Sequence, residues 1–257
     1  MFSKEPQGGF LRIGVDMSDK SVSVIVPCYN EANRKNFENH IRSIITEMDY
    51  YSSDFEIILV NDGSTDNTLD ILKNFEANNV KVINNATNRG KGFSIRKGIE
   101  NSEKDYVLFM DADLSVPLYF ISRAMQKLEE YDCVIASRYI KGATITSHRG
   151  IIRSFISLIL RMIFLGLFGL SFKDTQCGFK IFKKEIVDLS VFKCDRWLFD
   201  IELLTFLTEK GYKVFEMPVI WNNNTDSTLN SLDAIKTSIE EVKYILNLKR
   251  RLNHDSV

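Results

Sequence analysis

The stretch Val107-Leu108-Phe109-Met110-Asp111-Ala112-Asp113 decides the fold of this chain. An apolar run ends there in two aspartates that are separated by one residue. Such a run, followed soon by Pro117, predicts a buried parallel strand whose carboxyl end carries two carboxylates. Because open α/β sheets bind ligands at the carboxyl ends of their strands, this strand end is the first candidate for a functional site.

Two carboxylates in apolar surroundings repel each other unless a cation lies between or beside them. Mg²⁺ and Mn²⁺ prefer carboxylate oxygens together with the phosphates of a substrate. Asp111 and Asp113 therefore predict a metal–diphosphate site. A D-x-D triplet is a weak signal on its own, and a strand end with two solvated acids is an equally good interpretation of it.

Composition excludes several classes of protein. The 257-residue chain has a formal net charge of −1, so it carries no global signal for nucleic-acid binding. Its four cysteines are scattered without a C-x-x-C pair, which disfavours a zinc site or a disulfide framework and fits a reducing compartment. Residues 1–20 are polar and contain no apolar h-region, so we expect a loose N-terminal tail without a signal peptide.

Strand-like apolar runs alternate with stretches of helical spacing as far as about residue 140. This alternation predicts an α/β fold with a doubly wound, mostly parallel sheet and flanking helices. We expect a single domain over residues 21–252. The predicted strands cover residues 22–26, 55–60, 80–83, 107–113 and 133–136.

Four of the predicted strand ends carry unusual chemistry, and the topology gathers them at one edge of the sheet. A tyrosine there can stack on a base, an aspartate such as Asp62 can accept a hydrogen bond from a base N–H, and backbone N–H groups near Gly90 and Gly92 can meet phosphate together with Lys91. Together they predict a nucleotide-diphosphate pocket with a metal. The sequence has no P-loop or dinucleotide-binding glycine motif, which disfavours those alternatives. The four segments are residues 27–31, 61–64, 88–92 and 111–113.

Residues 149–172 form the most apolar stretch of the second half. Arg149, Arg153, Ser157 and Arg161 recur every four residues and form a polar stripe. The uninterrupted apolar part is too short to span a bilayer, so the pattern predicts an amphipathic, membrane-facing helix that also meets anionic groups. A buried core helix is the alternative, although three arginines on one stripe count against deep burial.

The remaining pattern is simpler. Asp200 and Glu202 lie at the start of an apparent helix and are compatible with ordinary N-terminal helix acids. Residues 212–221 alternate like a strand, and a last amphipathic helix ends in Lys249-Arg250-Arg251. These basic residues fit either a helix C-terminus or an anionic membrane surface.

These motifs resemble those of the family-two, inverting glycosyltransferases with the GT-A fold. More narrowly, the chain resembles the dolichyl-phosphate β-glucosyltransferase branch of the polyprenyl-phosphate glycosyltransferases. The resemblance runs from about residue 21 to 250 and implies a nucleotide-sugar-binding half at 21–140 and an acceptor-binding half at 141–252. Residues 24–31, 60–66 and 111–113 carry the family pattern, and residues 88–92, 174–180 and 196–203 carry that of the branch.

The resemblance also implies roles for individual residues in donor binding. Pro27, Tyr29, Glu31 and Asp62 would hold the nucleoside, and Lys91 would lie near it.

Further roles concern the diphosphate and the acceptor. Asp111 would reach the ribose or the metal, and Asp113 would bind the metal. Arg138, Arg149 and Arg153 would face the phosphates of the donor or of a lipid acceptor.

The implied reaction is attack of a polyprenyl phosphate, dolichyl or undecaprenyl, on C1 of a sugar, expected to be glucose, carried by UDP. A phosphate is already ionised near neutral pH, so no strong general base is required. Mg²⁺ or Mn²⁺ would stabilise charge on the leaving diphosphate. If the acceptor is instead a glycan hydroxyl, as in surface polysaccharide synthesis, Asp200 is the candidate base.

One departure from the branch concerns the acceptor. Asp226-Ser227-Thr228 stand where the branch carries Gly-Ser-Lys, so a basic residue is missing. We expect a cytoplasmic protein, peripheral on the inner face of the membrane or held by a membrane-protein partner. A nucleotide-sugar-binding protein without activity is a third interpretation, disfavoured by the intact Asp62, Asp111 and Asp113.

Overall fold

The computed structural model describes residues 20–146, 166–222 and 232–254. The predicted N-terminal tail, most of the predicted membrane-facing helix with Arg149 and Arg153, and the departure at 226–228 lie outside the described residues. Among the helices that are described, none is both long and apolar enough to cross a membrane.

The described chain alternates strands and helices as the hydrophobic pattern predicts. The strands are β1 Val22–Cys28, β2 Phe55–Asn61, β3 Val80–Asn84, β4 Tyr106–Met110, β5 Cys133–Ser137, β6 Thr144–Ile145, β7 Phe179–Lys183, β8 Val214–Pro218 and β9 Ile220–Trp221. The helices are α1 Phe37–Tyr51, α2 Thr68–Lys73, α3 Lys91–Glu100, α4 Phe120–Lys127, α5 Phe199–Glu209 and α6 Leu232–His254. Two short 3₁₀ helices cover Lys184–Ile186 and Leu189–Val191.

Seven strands form the central sheet in the order β3-β2-β1-β4-β7-β5-β8. All neighbouring pairs are parallel except those of β7, which runs antiparallel to both β4 and β5. The prediction of a doubly wound, mostly parallel sheet is therefore confirmed. The apolar pattern does not predict β7, which follows β5 in the chain and lies between β4 and β5 in the sheet.

The prediction of one strand over residues 212–221 is wrong. The structure divides this stretch into β8, which pairs with β5 in the central sheet, and β9, which pairs with β6 in a separate sheet of two strands. Pro218 lies at the division. Because proline has no N–H group to donate to a ladder, it ends β8 and lets the chain change partners.

Two apolar layers cover the two faces of the sheet. Alternate residues of β1 illustrate this, because Val24 and Val26 pack in one layer and Ile25 packs in the other. The first layer includes residues of α1, α2 and α4, and the second includes residues of α3, α5 and α6. Strands that are buried on both faces read as continuous apolar runs, which is why β2 and β4 were recognisable from sequence.

Candidate active site

Four segments meet at the carboxyl edge of the parallel strands, as predicted. β1 lies between β2 and β4, so the loops that follow these three strands are neighbours. The backbone N–H of Asn30 donates to Ser64 Oγ at 3.0 Å, and that of Glu31 donates to Thr68 Oγ1 at 2.8 Å. These bonds join the loop after β1 to the loop after β2.

Asp62 joins the loop after β2 to the glycine-rich turn at 88–92. Its Oδ1 accepts hydrogen bonds from the backbone N–H of Arg89 and from Asn85 Nδ2, both at 3.0 Å. Its Oδ2 accepts from the backbone N–H of Gly90 at 2.7 Å. The Asp62 side chain is therefore buried against the turn that it holds, and its contact with the nucleoside stays a prediction.

The expectation that backbone N–H groups of the glycine-rich turn meet phosphate is wrong. The N–H groups of Arg89 and Gly90 donate to Asp62, and that of Gly92 donates to the carbonyl of Arg196 at 3.1 Å. These donors are already paired within the chain. Positive charge in this turn is carried by the side chains of Lys91 and Arg89, and Arg89 is paired with Asp195 at 3.2 Å.

Lys91 contacts the first aspartate of the D-x-D triplet. Its Nζ lies 2.6 Å from Asp111 Oδ1. Burial alone lowers the pKa of Lys91, but Coulombic attraction to Asp111 and Asp200 outweighs burial and raises the pKa above its usual value. Lys91 is therefore a permanent cation placed between two carboxylates.

The second aspartate of the triplet is more deeply buried. Asp113 is 3% exposed, and its Oδ1 accepts a hydrogen bond from the backbone N–H of Ser115 at 2.9 Å. Burial and the nearby charge of Asp111 raise the pKa of Asp113. The guanidinium of Arg34 opposes this rise, and metal binding by the two aspartates stays a prediction.

Arg34 is a site residue that the sequence analysis missed. Its guanidinium forms an ion pair with Glu31, with Nη2 and Oε1 separated by 3.1 Å, and its Nη1 lies 3.5 Å from Asp113 Oδ2. Burial raises the pKa of Glu31, and Asp113 and Asp111 add to this, although Arg34 opposes it. An arginine three positions after a motif glutamate was the available signal.

The chemistry of the donor set fits a divalent metal ion that the substrate helps to bind. Within residues 20–146, 166–222 and 232–254, no group of three or more His, Cys, Asp or Glu side chains is arranged to hold a metal. Asp111 and Asp113 offer two carboxylates, and Mg²⁺ is commonly held by one or two carboxylates together with substrate phosphates and water.

Tyr29 lies at the same edge of the sheet. The residue is 45% exposed, so its ring is accessible to a base.

Arg138 is paired inside the protein. Its Nε donates to Asp174 Oδ2 at 2.6 Å and its Nη2 donates to Asp174 Oδ1 at 2.8 Å. Asp174 is 1% exposed, and its backbone N–H donates to Glu216 Oε1 at 2.8 Å. The structure thus gives Arg138 a role in binding the 174–180 motif to the end of β5, and its contact with phosphate stays a prediction.

The two acids at the start of α5 have different partners. Asp200 accepts a hydrogen bond from Lys180 Nζ, which is fully buried on β7. Glu202 accepts hydrogen bonds from the backbone N–H groups of Lys193 and Cys194 at 2.8 and 3.0 Å, and burial raises its pKa. Glu202 therefore holds the preceding loop, whereas Asp200 lies close enough to Lys91 to act on its charge.

Comparison with known proteins agrees with this architecture. A family model described as Glycosyl transferase family 2 matches residues 23–189. Dolichyl-phosphate beta-glucosyltransferase ALG5C of Trichomonas vaginalis is 30% identical over 91% of this chain and 74% of its own length. The dolichyl-phosphate beta-glucosyltransferase of Saccharomyces cerevisiae is also 30% identical, over 89% of this chain and 76% of its own length.

Solved structures support the fold independently of sequence. Glucosyl-3-phosphoglycerate synthase from Mycobacterium tuberculosis, in complex with Mn²⁺, UDP and glucosyl-3-phosphoglycerate, superposes with a TM-score of 0.66 at 16% identity. The match covers 95% of this chain and 86% of the synthase. At this identity the likeness shows the fold, which is of the GT-A type.

Proposed function

Because this chain belongs to glycosyl transferase family 2, we propose that it transfers glucose from UDP-glucose to a polyprenyl phosphate with inversion at the sugar C1. The observation that carries the proposal is the cluster of Glu31, Arg34, Lys91, Asp111 and Asp113 at one edge of the sheet. Curated relatives that are 30% identical and named for dolichyl-phosphate glucosylation support the choice of sugar and acceptor.

The loop after β1 binds the nucleoside in this proposal. Tyr29 is exposed and stacks on the base, and Pro27 and Glu31 border the same surface. Asp62 keeps the glycine-rich turn in place and has lone pairs left to accept a base N–H. Base stacking and one directed hydrogen bond are sufficient to orient the donor.

The diphosphate lies between fixed cations. Asp111 and Asp113 would hold Mg²⁺ or Mn²⁺, which supplies positive charge to the leaving diphosphate when it is bound. Lys91 adds a permanent charge on the Asp111 side, and Arg34 adds one on the Asp113 side, where its buried Nη1 has no hydrogen-bond partner among the described residues. Preorganised cations of this kind stabilise charge as it develops in the transition state.

The acceptor is an anionic lipid. Its phosphate attacks C1 without first losing a proton, because it is already ionised near neutral pH. We propose that Arg149 and Arg153 contact this phosphate. Residues 149–172 and the basic end of α6 then rest on the cytoplasmic face of a membrane, alone or with a membrane-protein partner.

The experiment measures UDP release and glycolipid mass. Purified protein is incubated with Mg²⁺ or Mn²⁺ and a panel of UDP- and GDP-sugars, with and without a short polyprenyl phosphate. Lipid-dependent release from UDP-glucose alone, lost in Asp113→Ala, is the expected result. Asp105→Ala is the matched control, since Asp105 lies exposed just before the opposite end of β4 and accepts a hydrogen bond from Ser21.

Two outcomes contradict the proposal. Release that lipid does not change directs the search to glycan hydroxyl acceptors, for which Asp200 is the candidate base. Binding of UDP-glucose without release under any condition supports a nucleotide-sugar-binding protein without activity.

A further inference from the structure

Lys180 is a charged residue in the middle of the apolar sheet. In β7 its register partners are Phe109 on one side and Ile135 on the other, and all three residues are fully buried. Lys180 Nζ donates to Asp200 Oδ1 and to the carbonyl of Cys177, the latter at 2.9 Å. A buried lysine needs such partners, because an unpaired ammonium in the interior is strongly destabilising.

Stability alone does not account for this pair. Replacing a buried ion pair by apolar residues of similar volume is often neutral or stabilising, since desolvation offsets the Coulombic gain. β7 would therefore accept methionine at position 180 if Asp200 were apolar as well. What distinguishes the Lys180–Asp200 pair is its position, next to the residues that are proposed to receive the donor diphosphate.

The pair continues into the site as a row of alternating charges. Asp200 contacts Lys180, and Lys91 contacts Asp111 at 2.6 Å. The turn that carries Lys91 packs against the start of α5, because a Cβ atom on Gly92 would fall 2.7 Å from the Cβ of Phe199, and the N–H of Gly92 donates to the carbonyl of Arg196 at 3.1 Å. Asp200 lies in the first turn of α5, where the helix dipole also favours a carboxylate. Lys180, Asp200, Lys91 and Asp111 thus join β7, α5, α3 and the end of β4.

We propose that Lys180 is a positioning residue that fixes Asp200, and that Asp200 in turn holds the Lys91 ammonium toward the donor diphosphate. This inference rests on the proposed function in one respect, namely that the donor is a nucleoside diphosphate sugar. In this proposal Asp200 serves as a counter-ion to Lys91 and not as a general base, with its Oδ1 bound by Lys180. A phosphate acceptor needs no base, so this role suits the proposed lipid acceptor.

The test is the affinity for UDP in the presence of Mg²⁺, measured by calorimetry without any acceptor. We expect Lys180→Met to weaken UDP binding about tenfold, within the range of coupling that contacting charges show. In a Lys91→Met background, the same change at Lys180 should weaken binding no further, because its effect passes through Lys91. Lys183→Met is the matched control on the same strand, since Lys183 pairs with Asp132 at 2.9 Å and is partly exposed.

Two results would overturn the inference. One is that Lys180→Met leaves UDP affinity unchanged in the otherwise wild-type protein, or that it weakens UDP binding just as much in the Lys91→Met background. The other is an Asp200→Asn variant that loses turnover while its UDP affinity and the KM for the donor stay unchanged, as expected of a general base.

Folding and the proposed function are checked separately. If Lys180→Met does not fold, the double variant Lys180→Met/Asp200→Asn removes both charges. Its UDP affinity is then compared in the presence of Lys91 and in the Lys91→Met background. Wild-type protein that binds UDP but forms no glycolipid would count against the lipid acceptor and leave this test intact.

Discussion

The carboxylate of Asp111 lies directly against Gly178. A Cβ atom placed on Gly178 would fall 1.8 Å from Asp111 Oδ2, and the backbone N–H of Asp111 donates to the Gly178 carbonyl at 3.0 Å. A side chain at position 178 would therefore displace the Asp111 carboxylate. The branch motif at 174–180 therefore shapes the D-x-D site from the neighbouring strand.

Gly178→Ala should weaken donor binding strongly while the protein still folds. The added methyl group must push Asp111 away from Lys91, which removes one metal ligand and the partner of a cation. We expect UDP affinity in the presence of Mn²⁺ to fall by about a hundredfold, as for loss of a well-placed charged contact. Gly166→Ala is the control, because an added Cβ there meets nothing within 4 Å. Equal affinities in the two variants would contradict the prediction.

Asp62→Ala should destabilise the protein and loosen the glycine-rich turn together. The change leaves the N–H groups of Arg89 and Gly90 without their acceptor. Loss of one partner from buried hydrogen bonds to a carboxylate should lower the free energy of unfolding by about 2 kcal/mol. Urea denaturation measures this, and UDP affinity should fall in parallel. A variant that binds UDP weakly at unchanged stability would assign Asp62 to the nucleoside alone.

Breaking the Arg138–Asp174 pair should cost more stability than breaking a pair near the surface. Arg138→Met leaves a carboxylate that is 1% exposed without its counter-ion, and we expect a loss of about 3 kcal/mol in the free energy of unfolding. Lys183→Met breaks a partly exposed pair and should cost at most about 1 kcal/mol. Urea denaturation of both variants checks the difference. A loss of no more than about 1 kcal/mol in Arg138→Met would contradict this structural role.

Glu202 should make stability depend on pH in a defined direction. Burial raises the pKa of Glu202 above its ordinary value of about 4.5, so the folded protein binds a proton there more tightly than the unfolded chain does. Stability therefore falls as pH rises from about 4.5 through the raised pKa. Glu202→Gln removes this dependence, so the free energy of unfolding of the variant relative to that of the wild type should increase as pH rises from about 4.5 to 7. A difference that is constant between pH 5 and 7 would contradict the assignment.

Arg149→Gln/Arg153→Gln should impair use of the lipid acceptor and spare donor binding. Each lost basic residue should weaken association with anionic vesicles by about 1 kcal/mol. Vesicle sedimentation and the KM for polyprenyl phosphate measure the two effects, and UDP affinity serves as the internal control. Loss of UDP affinity instead would place these arginines at the donor diphosphate.

The sequence predicts those parts of the fold and the site that depend on local pattern. β1 to β5 are apolar runs bounded by polar residues, and the four segments at their carboxyl edge follow from the topology of parallel strands. Tyr29, Asp111 and Asp113 lie on that edge as predicted because each follows a strand directly.

The sequence does not predict which side chains form ion pairs or hydrogen bonds with residues far away in the chain. Arg138 and Lys91 both look like phosphate ligands in a linear motif, yet Arg138 pairs with Asp174, and the N–H groups around Lys91 are bound within the chain. β7 escaped detection because Lys180 interrupts its apolar run and finds its partner, Asp200, only in the folded protein.

The antiparallel position of β7 has a consequence for how the protein can be divided. A fragment that ends near residue 140 would contain the D-x-D triplet and every parallel strand around it, but β4 would lose the neighbour that covers its backbone. Such a fragment exposes an unpaired apolar edge strand, which favours aggregation. The part of the chain before residue 140 and the part after it are therefore interlaced in one sheet, so we expect neither part to fold without the other.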